Sequence, residues 1–361
     1  MRRAATLALT AAALLIAACG GSGDEPAEDF GEFYGVVPVE TPTEVDFARM
    51  AAGGIGSYHL QLSWSTVEHA EKGTYDWTAY DEVMRGLARN GIQPIPYVAG
   101  TPPLYEPDPT TPPTADGEAF DAWADFLREA ALRYGPDGEF WEILAASDPD
   151  VEPLPLRTWE IWNEPNSSVF WKPKPDPEAY AALLKRSARV ITGVDPEAEI
   201  MTAGMFATPQ SDGAIGSYEF LEDLLERRGV TEIVDVVGVH PYGPEVEDVI
   251  TQVEGTREAL DEAGEDADLW ITELGWGSDP TSAAQLAKSP EEQADLLTES
   301  LGQLHERREE WDLRGVIWFT WRDTPGPVGD CVWCQTAGLV DPDRDSKPSW
   351  LAFTELTGGE P

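Results

Sequence analysis

The chain has 361 residues and a formal net charge of −43, from 67 acidic and 24 basic side chains. This excess of negative charge argues against nucleic acid or an anionic membrane surface as a partner, and it disfavours a polyanionic substrate. About 330 residues follow the first thirty, enough for one α/β barrel or two smaller domains.

The N-terminus has the pattern of an export signal. Arg2 and Arg3 precede an apolar run over 4–18 that is too short to span a bilayer well. The run ends in Ile16-Ala17-Ala18-Cys19, which resembles the lipobox of bacterial lipoproteins. That resemblance implies cleavage after residue 18 and a lipidated Cys19. Ordinary secretion with cleavage nearby, or a short membrane anchor, remains open as an alternative.

Residues 19–29 are rich in Gly, Ser, Asp and Glu, which predicts a flexible acidic tether. We expect the folded domain to occupy 30–361. The protein would then be exported and held at the cell surface or the periplasmic side of the membrane. Its contact with the membrane would be through the lipid anchor alone.

Apolar strand patterns alternate with amphipathic helical patterns through the rest of the chain, at intervals of roughly 35 to 45 residues. The predicted strands are 33–39, 56–62, 92–98, 156–163, 199–205, 234–240, 268–273 and 315–321. The predicted helices are 76–90, 118–134, 177–192, 217–228, 246–263 and 290–311.

Eight strands separated by helices favour parallel pairing with right-handed crossovers. Closed on itself, such a sheet is a single-domain (β/α)8 TIM barrel, an α/β fold whose chemistry lies at the carboxyl ends of the strands. Residues 135–155, rich in acids and prolines, interrupt the alternation. We expect them to form an extended connection at the opposite end of the barrel.

Two of the predicted strands end in a carboxylate. Trp159-Glu160-Ile161-Trp162-Asn163-Glu164 stops at Pro165, and Leu269-Trp270-Ile271-Thr272-Glu273 continues into Leu274-Gly275-Trp276. A single glutamate at a strand end is often a capping or ion-paired residue. Two in one chain favour a functional pair, because buried acids are rare unless they are paired or functional. Paired carboxylates across a cavity are the groups that glycoside hydrolysis requires.

The two motifs together resemble the large clan of retaining (β/α)8 glycoside hydrolases, which includes cellulase-like and β-xylosidase-like families. The resemblance covers nearly the whole chain after the tether. It implies that Glu164 is the acid/base and Glu273 the nucleophile. It also implies that Asn163 contacts the sugar 2-hydroxyl, that no cofactor or metal is needed, and that the substrate is a carbohydrate, bound by a monomer.

Further residues are expected to contact the substrate. The resemblance assigns His240 or Tyr242, at the end of strand six, to a hydrogen bond with the nucleophile or the sugar; a structural histidine is the alternative. Trp318 and Trp321 lie three apart on strand eight, so they face opposite ways and at most one is expected to be the stacking platform. Trp64 and Trp276, after strands two and seven, complete the set.

Two residues on the predicted strands need separate interpretations. Glu160 lies four residues before Glu164, about 13 Å down the same face of the strand, and is interpreted as a buried structural acid. His59 stands where relatives commonly have an arginine that holds the nucleophile. We expect it to contact the substrate site without the permanent charge of an arginine.

The remaining cysteines, Cys331 and Cys334, are expected to form a short-loop disulfide in an exported protein. Two non-enzymatic functions stay open at this point. One is a surface polysaccharide-binding lipoprotein on the same barrel, and the other is a two-domain solute-binding lipoprotein. Neither gives a role to the Asn163-Glu164-Pro165 motif.

Overall fold

The computed structural model describes residues 30–114, 117–207, 211–326, 328–329 and 331–361. Eight parallel strands close into a barrel in chain order, so the predicted (β/α)8 fold is confirmed. Each parallel pair is joined by a crossover, as this topology requires. The strands are β1 Tyr34–Val37, β2 Ser57–Ser63, β3 Gln93–Ala99, β4 Thr158–Ile161, β5 Glu199–Phe206, β6 Val236–His240, β7 Asp268–Leu274 and β8 Leu313–Phe319.

Helices form the outer layer and bury one apolar face each against the strands. Typical is α8, which is followed by Gly264 in the left-handed conformation that glycine adopts readily at a helix C-terminus. The helices are α1 Glu44–Ala52, α2 Trp64–Val67, α3 Thr78–Asn90, α4 Glu118–Tyr134, α5 Glu139–Ser147, α6 Pro177–Val194, α7 Ser217–Leu225, α8 Val246–Ala263, α9 Pro290–Glu306 and α10 Pro348–Thr357.

The expectation of an extended connection over residues 135–155 is wrong in part, because the helix α5 lies within them. This helix buries Phe140, Trp141 and Leu144, one apolar face over two turns. This helical pattern is short, and the acidic and proline-rich residues that follow it made the segment look non-helical in the sequence. The helices α1, α2 and α10 were also absent from the predicted set.

The interior of the barrel is layered. An apolar group that includes Ile95, Met201, Val236, Trp270 and Ile317 fills one part of it. A polar layer of four fully buried side chains lies closer to the carboxyl ends of the strands, formed by His59, Glu160, His240 and Thr272. Alternation along each strand sends these residues inward.

None of the helices in the described ranges is both long enough and apolar enough to cross a membrane. The predicted signal peptide over 1–18, the tether over 19–29 and the lipidated Cys19 lie outside the residues that the structure describes.

Candidate active site

The chain leaves β4 through a turn that presents Glu164 at the carboxyl end of the barrel. Trp162 and Glu164 both have positive φ values, 77° and 39°. Such conformations are costly for residues other than glycine, and they persist where the surroundings enforce them. The Glu164 amide donates a hydrogen bond to the carbonyl of Gly204 on β5 (3.1 Å). The carboxylate is therefore held at the barrel mouth, with 12% of its side chain exposed.

Glu273 reaches the same place from β7. The pairing of β7 with β8 shifts register between Ile271 and Leu274, which interrupts the regular alternation of side chains. Carboxylate oxygens of Glu164 and Glu273 lie within 4.8 Å of each other. The two predicted carboxylates thus face one another, slightly closer than the expected separation of about 5–5.5 Å.

His240, at the end of β6, connects the two carboxylates. Its Nδ1 lies 2.9 Å from Glu164 Oε1 and 3.8 Å from Glu273 Oε2. Its Nε2 lies 3.1 Å from Thr272 Oγ1. Gly204 makes this packing possible, since a Cβ there would lie 2.2 Å from the imidazole ring.

Electrostatics keep His240 protonated at neutral pH. Burial alone would lower the pKa of its imidazole, but the charge of Glu273 and the hydrogen bond and charge of Glu164 raise the pKa to about 9. Burial in turn raises the pKa of Glu273, and the charge of Glu164 raises it further, whereas the charge of His240 opposes both. The charge states of His240 and Glu273 therefore depend on each other.

Tyr242 is the direct partner of Glu273. Its hydroxyl donates a hydrogen bond to Glu273 Oε2 at 2.8 Å. Burial and the neighbouring charge of Glu273 hold the pKa of Tyr242 well above its ordinary value, so it remains a donor. Of the two expected partners, Tyr242 contacts Glu273 directly and His240 contacts Glu164 most closely.

The two carboxylates line a cavity of about 400 Å³, a size suited to a small ligand. Asn163 lines it, and the side-chain oxygen of Asn163 has no hydrogen-bond partner among the described residues. A second cavity of about 240 Å³ adjoins the first and shares Gln61, Tyr97, Asn163 and Phe170 with it.

The predicted aromatic platform on β8 is wrong for both candidates. Trp318 is fully buried on the outside of the barrel and donates from Nε1 to the carbonyl of Ala337. Alternation along β8 turns Ile317 and Phe319 inward, so Trp318 faces out. Trp321 follows the end of β8, where alternation no longer applies, and its Nε1 donates to Asp46 in α1.

Trp64 and Trp276 are also structural, contrary to the expectation that they contact the substrate. Trp64 begins α2, and its Nε1 donates to Glu68 Oε2 (2.6 Å) beneath the loops. Trp276 is buried, and its Nε1 donates to the carbonyl of Gly243 (2.7 Å). An indole N–H that is buried needs an acceptor, and both find one away from the cavity.

His59 does not reach the cavity either. It is fully buried, and its Nε2 lies 2.7 Å from Glu160 Oε2. Glu160 also accepts hydrogen bonds from the Gly204 amide (2.6 Å) and Thr272 Oγ1 (3.3 Å). The interpretation of Glu160 as a buried, paired acid is confirmed, and His59 is its partner instead of a substrate contact.

The cavity contains aromatic residues that the sequence analysis did not single out. Phe319 is the inward-facing neighbour of Trp318, so strict alternation from Ile317 would have found it. Tyr97, the inward residue of β3, could have been found in the same way. Trp333 lies in a loop, and only its place between two cysteines marked it in the sequence. Cys331 and Cys334 are disulfide-bonded in the structure.

Glu164, His240 and Glu273 have donor atoms within 4.8 Å of one another, a grouping that can also hold a metal ion. A metal ion bound there would have to displace the proton of His240 Nδ1.

A third cavity, of about 420 Å³, lies at the opposite end of the barrel. Glu199 there is held by Arg314 through two hydrogen bonds (2.6 and 2.8 Å) and by Thr158 (2.8 Å). A carboxylate satisfied in this way is structural, and the cavity at the carboxyl ends of the strands is the candidate active site.

Comparison with known proteins agrees with this location. Residues 161–330, which include both carboxylates, match the family model described as a glycosyl hydrolase catalytic core. This match, together with the carboxylate pair, supports a glycosidase. No curated protein matches the sequence.

Solved structures share the fold. They include a family 39 glycoside hydrolase from Bacteroides cellulosilyticus WH2 (22% identity, TM-score 0.66, 92% of this chain) and a monomeric beta-xylosidase from Caulobacter crescentus CB15 (21%, 0.62, 91%). A glucosidase from Croceicoccus marinus has 14% identity and a TM-score of 0.66 over 92% of this chain. The chain spans 64%, 68% and 69% of these proteins respectively, so it covers less than two thirds of the first.

Proposed function

We propose that this chain is a retaining glycoside hydrolase that cleaves a neutral, β-linked oligo- or polysaccharide by double displacement. The observation that carries the proposal is the approach of the Glu164 and Glu273 oxygens to within 4.8 Å. Retaining enzymes have carboxyl groups about 5–5.5 Å apart, whereas inverting enzymes need about 6.5–9.5 Å to admit a water molecule.

In the first step, the Glu273 carboxylate attacks the anomeric carbon and the glycosidic C–O bond breaks. Glu164 gives its proton to the departing oxygen, so a glycosyl ester forms on Glu273 and the leaving group departs as an alcohol. The Tyr242 hydroxyl, 2.8 Å from Glu273 Oε2, fixes the orientation of the nucleophile. In the second step, Glu164 takes a proton from water, whose oxygen attacks the anomeric carbon. The bond between that carbon and the Glu273 oxygen breaks, so the Glu273 carboxylate is regenerated and the sugar leaves with its original anomeric configuration.

His240 supports the change of charge on Glu164. Once Glu164 has given up its proton, its carboxylate lies 2.9 Å from Nδ1 of a protonated imidazole. That charge-assisted hydrogen bond stabilises the anionic form that then acts as the base. Thr272 holds the ring from the other side through Nε2.

The lining of the cavity supports a neutral substrate. Among the described residues that line it, none is lysine or arginine, while Tyr97, Phe206, Phe319 and Trp333 supply aromatic surface. An anionic sugar bound there would lie beside two carboxylates, and no lysine or arginine among these lining residues would pair with its charge. The similar structures include a beta-xylosidase and a glucosidase, so β-xylosides and β-glucosides are the first substrates to test.

The test is hydrolysis of 4-nitrophenyl β-D-xyloside, β-D-glucoside and related aryl glycosides by the purified protein. Wild type should release nitrophenol, and Glu273→Ala should lose nearly all of this activity. Glu129→Ala, which removes an exposed carboxylate on α4, is the matched control and should retain it. Binding of glycans without any turnover would instead favour a polysaccharide-binding protein.

We also propose that the protein is a lipoprotein, exported and anchored through Cys19. The support is the tetrapeptide Ile16-Ala17-Ala18-Cys19 after a basic and then apolar segment. An acyl anchor and the acidic tether over 19–29 would hold the barrel outside the membrane surface. The monomeric state expected from the sequence remains part of this proposal.

A further inference from the structure

One wall of the catalytic cavity is a tryptophan in the loop after β8. Every tryptophan of the chain is buried except Trp77 and Trp333. Trp77 precedes α3 and stacks on Phe126, whereas Trp333 lines the cavity that holds the two carboxylates. A partly exposed indole in a cavity of this kind offers a flat apolar surface to a ligand.

Trp333 is connected to the reacting groups through two aromatic contacts. Its ring centroid lies 5.3 Å from that of Tyr242 and 5.7 Å from that of Phe319, both at steep interplanar angles. Tyr242 in turn donates its hydrogen bond to Glu273. Only Tyr242 therefore lies between the indole and the Glu273 carboxylate along this chain of contacts.

The loop that carries Trp333 is anchored on its C-terminal side. The carbonyl of Thr336 accepts hydrogen bonds from the Ser278 amide (2.9 Å), Ser278 Oγ (3.0 Å) and Lys347 Nζ (2.9 Å). Gly277 packs so closely that a Cβ would lie 2.5 Å from the Trp333 carbonyl. These contacts join the loop to the segment that follows Glu273.

The disulfide encloses Trp333 directly. Cys331 and Cys334 flank Val332 and Trp333, and both cysteines line the cavity. Cys334 is buried and begins the short 3₁₀ helix Cys334–Thr336, so the covalent bond ties Cys331 to the anchored side of the loop. A cross-link of this kind restricts the conformations that the intervening residues can adopt.

We propose that Trp333 is the aromatic platform on which the sugar beside the scissile bond stacks, and that the Cys331–Cys334 disulfide holds it in position. The proposal rests on the glycosidase function proposed above and names a binding residue for it. Val332, in the same loop, is 64% exposed and is not among the residues that line the cavity.

The first test compares Trp333→Ala with Trp77→Ala, which removes the other partly exposed tryptophan. With 4-nitrophenyl β-D-xyloside and β-D-glucoside, Trp333→Ala should raise KM about tenfold, because it removes one aromatic contact. Trp333→Phe, which retains a flat ring, should recover most of the loss. Trp77→Ala should keep the KM of wild type.

The second test measures binding without turnover. Xylobiose and cellobiose are titrated into Glu273→Gln and into the double variant Glu273→Gln/Trp333→Ala by calorimetry. The double variant should bind the better of the two ligands about tenfold more weakly. Cys331→Ser/Cys334→Ser should weaken binding in the same direction by a smaller factor, and Val332→Ala should not.

The outcomes separate the two proposals. If wild type hydrolyses an aryl glycoside and Trp333→Ala matches Trp77→Ala, the platform is contradicted and the glycosidase stands. If wild type neither hydrolyses nor binds any tested glycoside, the glycosidase fails, and the platform fails with it. If Trp333→Ala does not fold, Trp333→Phe is compared with Trp333→Leu, and equal affinities of these two would contradict stacking.

Discussion

The hydroxyl of Tyr242 donates a hydrogen bond to Glu273 Oε2 at 2.8 Å. The bond joins the end of β6 to the end of β7, so two neighbouring strands fix one carboxylate. Burial raises the pKa of Glu273, and this donor favours its charged form. The same tyrosine packs against Trp333, which places the nucleophile, its donor and an aromatic wall in one cluster.

Tyr242→Phe should lower kcat/KM by roughly 10- to 100-fold, because a hydrogen bond to a charged group is worth about 1.5–3 kcal/mol. Steady-state kinetics on an aryl glycoside measures the effect. Tyr218→Phe is the control, since the Tyr218 hydroxyl donates to the carbonyl of Gln252 on the outer layer (3.1 Å). Equal kinetics for the two variants would contradict a role for Tyr242 at the nucleophile.

His240 should make the stability of the protein depend on pH. Its pKa is raised from 6.5 to about 9 by Glu273, Glu164 and Glu160, which outweigh burial. Because the pKa of His240 is higher in the folded state, the protonated imidazole contributes its full stabilisation below about pH 6.5. This contribution is lost as the pH rises through about 9. The full contribution is on the order of 3 kcal/mol.

The measurement is denaturant unfolding of wild type and His240→Gln at pH 6, 7.5 and 9.5. The difference in the free energy of unfolding should shrink as the pH rises. His69→Gln, which replaces an exposed histidine, should show no such trend. A constant difference for His240→Gln across this range would mean that His240 is not the charged link between the carboxylates.

Glu160→Ala should reduce the free energy of unfolding by about 3–5 kcal/mol, because it leaves His59 and the Gly204 amide without their buried partner. Glu129→Ala, in an exposed position on α4, should change it by less than about 0.5 kcal/mol. Unfolding followed by circular dichroism compares them. Similar stabilities would contradict the structural role of Glu160.

Cys19→Ser should abolish incorporation of labelled palmitate in a bacterial host. The thiol of Cys19 is the atom that a lipobox modification uses, and serine lacks it. Cys331→Ser serves as the control and should remain labelled. Persistent labelling of Cys19→Ser would contradict the lipoprotein proposal.

Much of the barrel could be predicted, because each strand and most helices have an unambiguous period. Strands β5 and β7 each agree with their predicted ranges to within one residue. The helix α5 could not be predicted, since its three buried residues occupy only two turns beside a proline-rich segment. Local composition outweighed a short periodic signal there.

In the site, residues at strand ends were easier to place than residues beyond them. Glu164 and Glu273 could be paired because parallel strands end at the same edge of a barrel. The predicted substrate contacts of the tryptophans were wrong for a different reason. Trp321 lies past β8, where the direction of a side chain depends on the path of the loop, and Trp333 reaches the cavity through loop contacts that no period encodes.

The most direct test of the two-carboxylate mechanism is azide rescue on a β-glycoside with a good leaving group, such as a 2,4-dinitrophenyl glycoside. Glu164→Ala should still form the glycosyl ester, because this leaving group needs no proton, and azide should then yield the β-glycosyl azide. Glu273→Ala should yield the opposite anomer, because azide replaces the nucleophile itself. The reverse pattern would exchange the two roles. Absence of azide products from both variants, with wild type inactive on the whole panel, would contradict the glycosidase account.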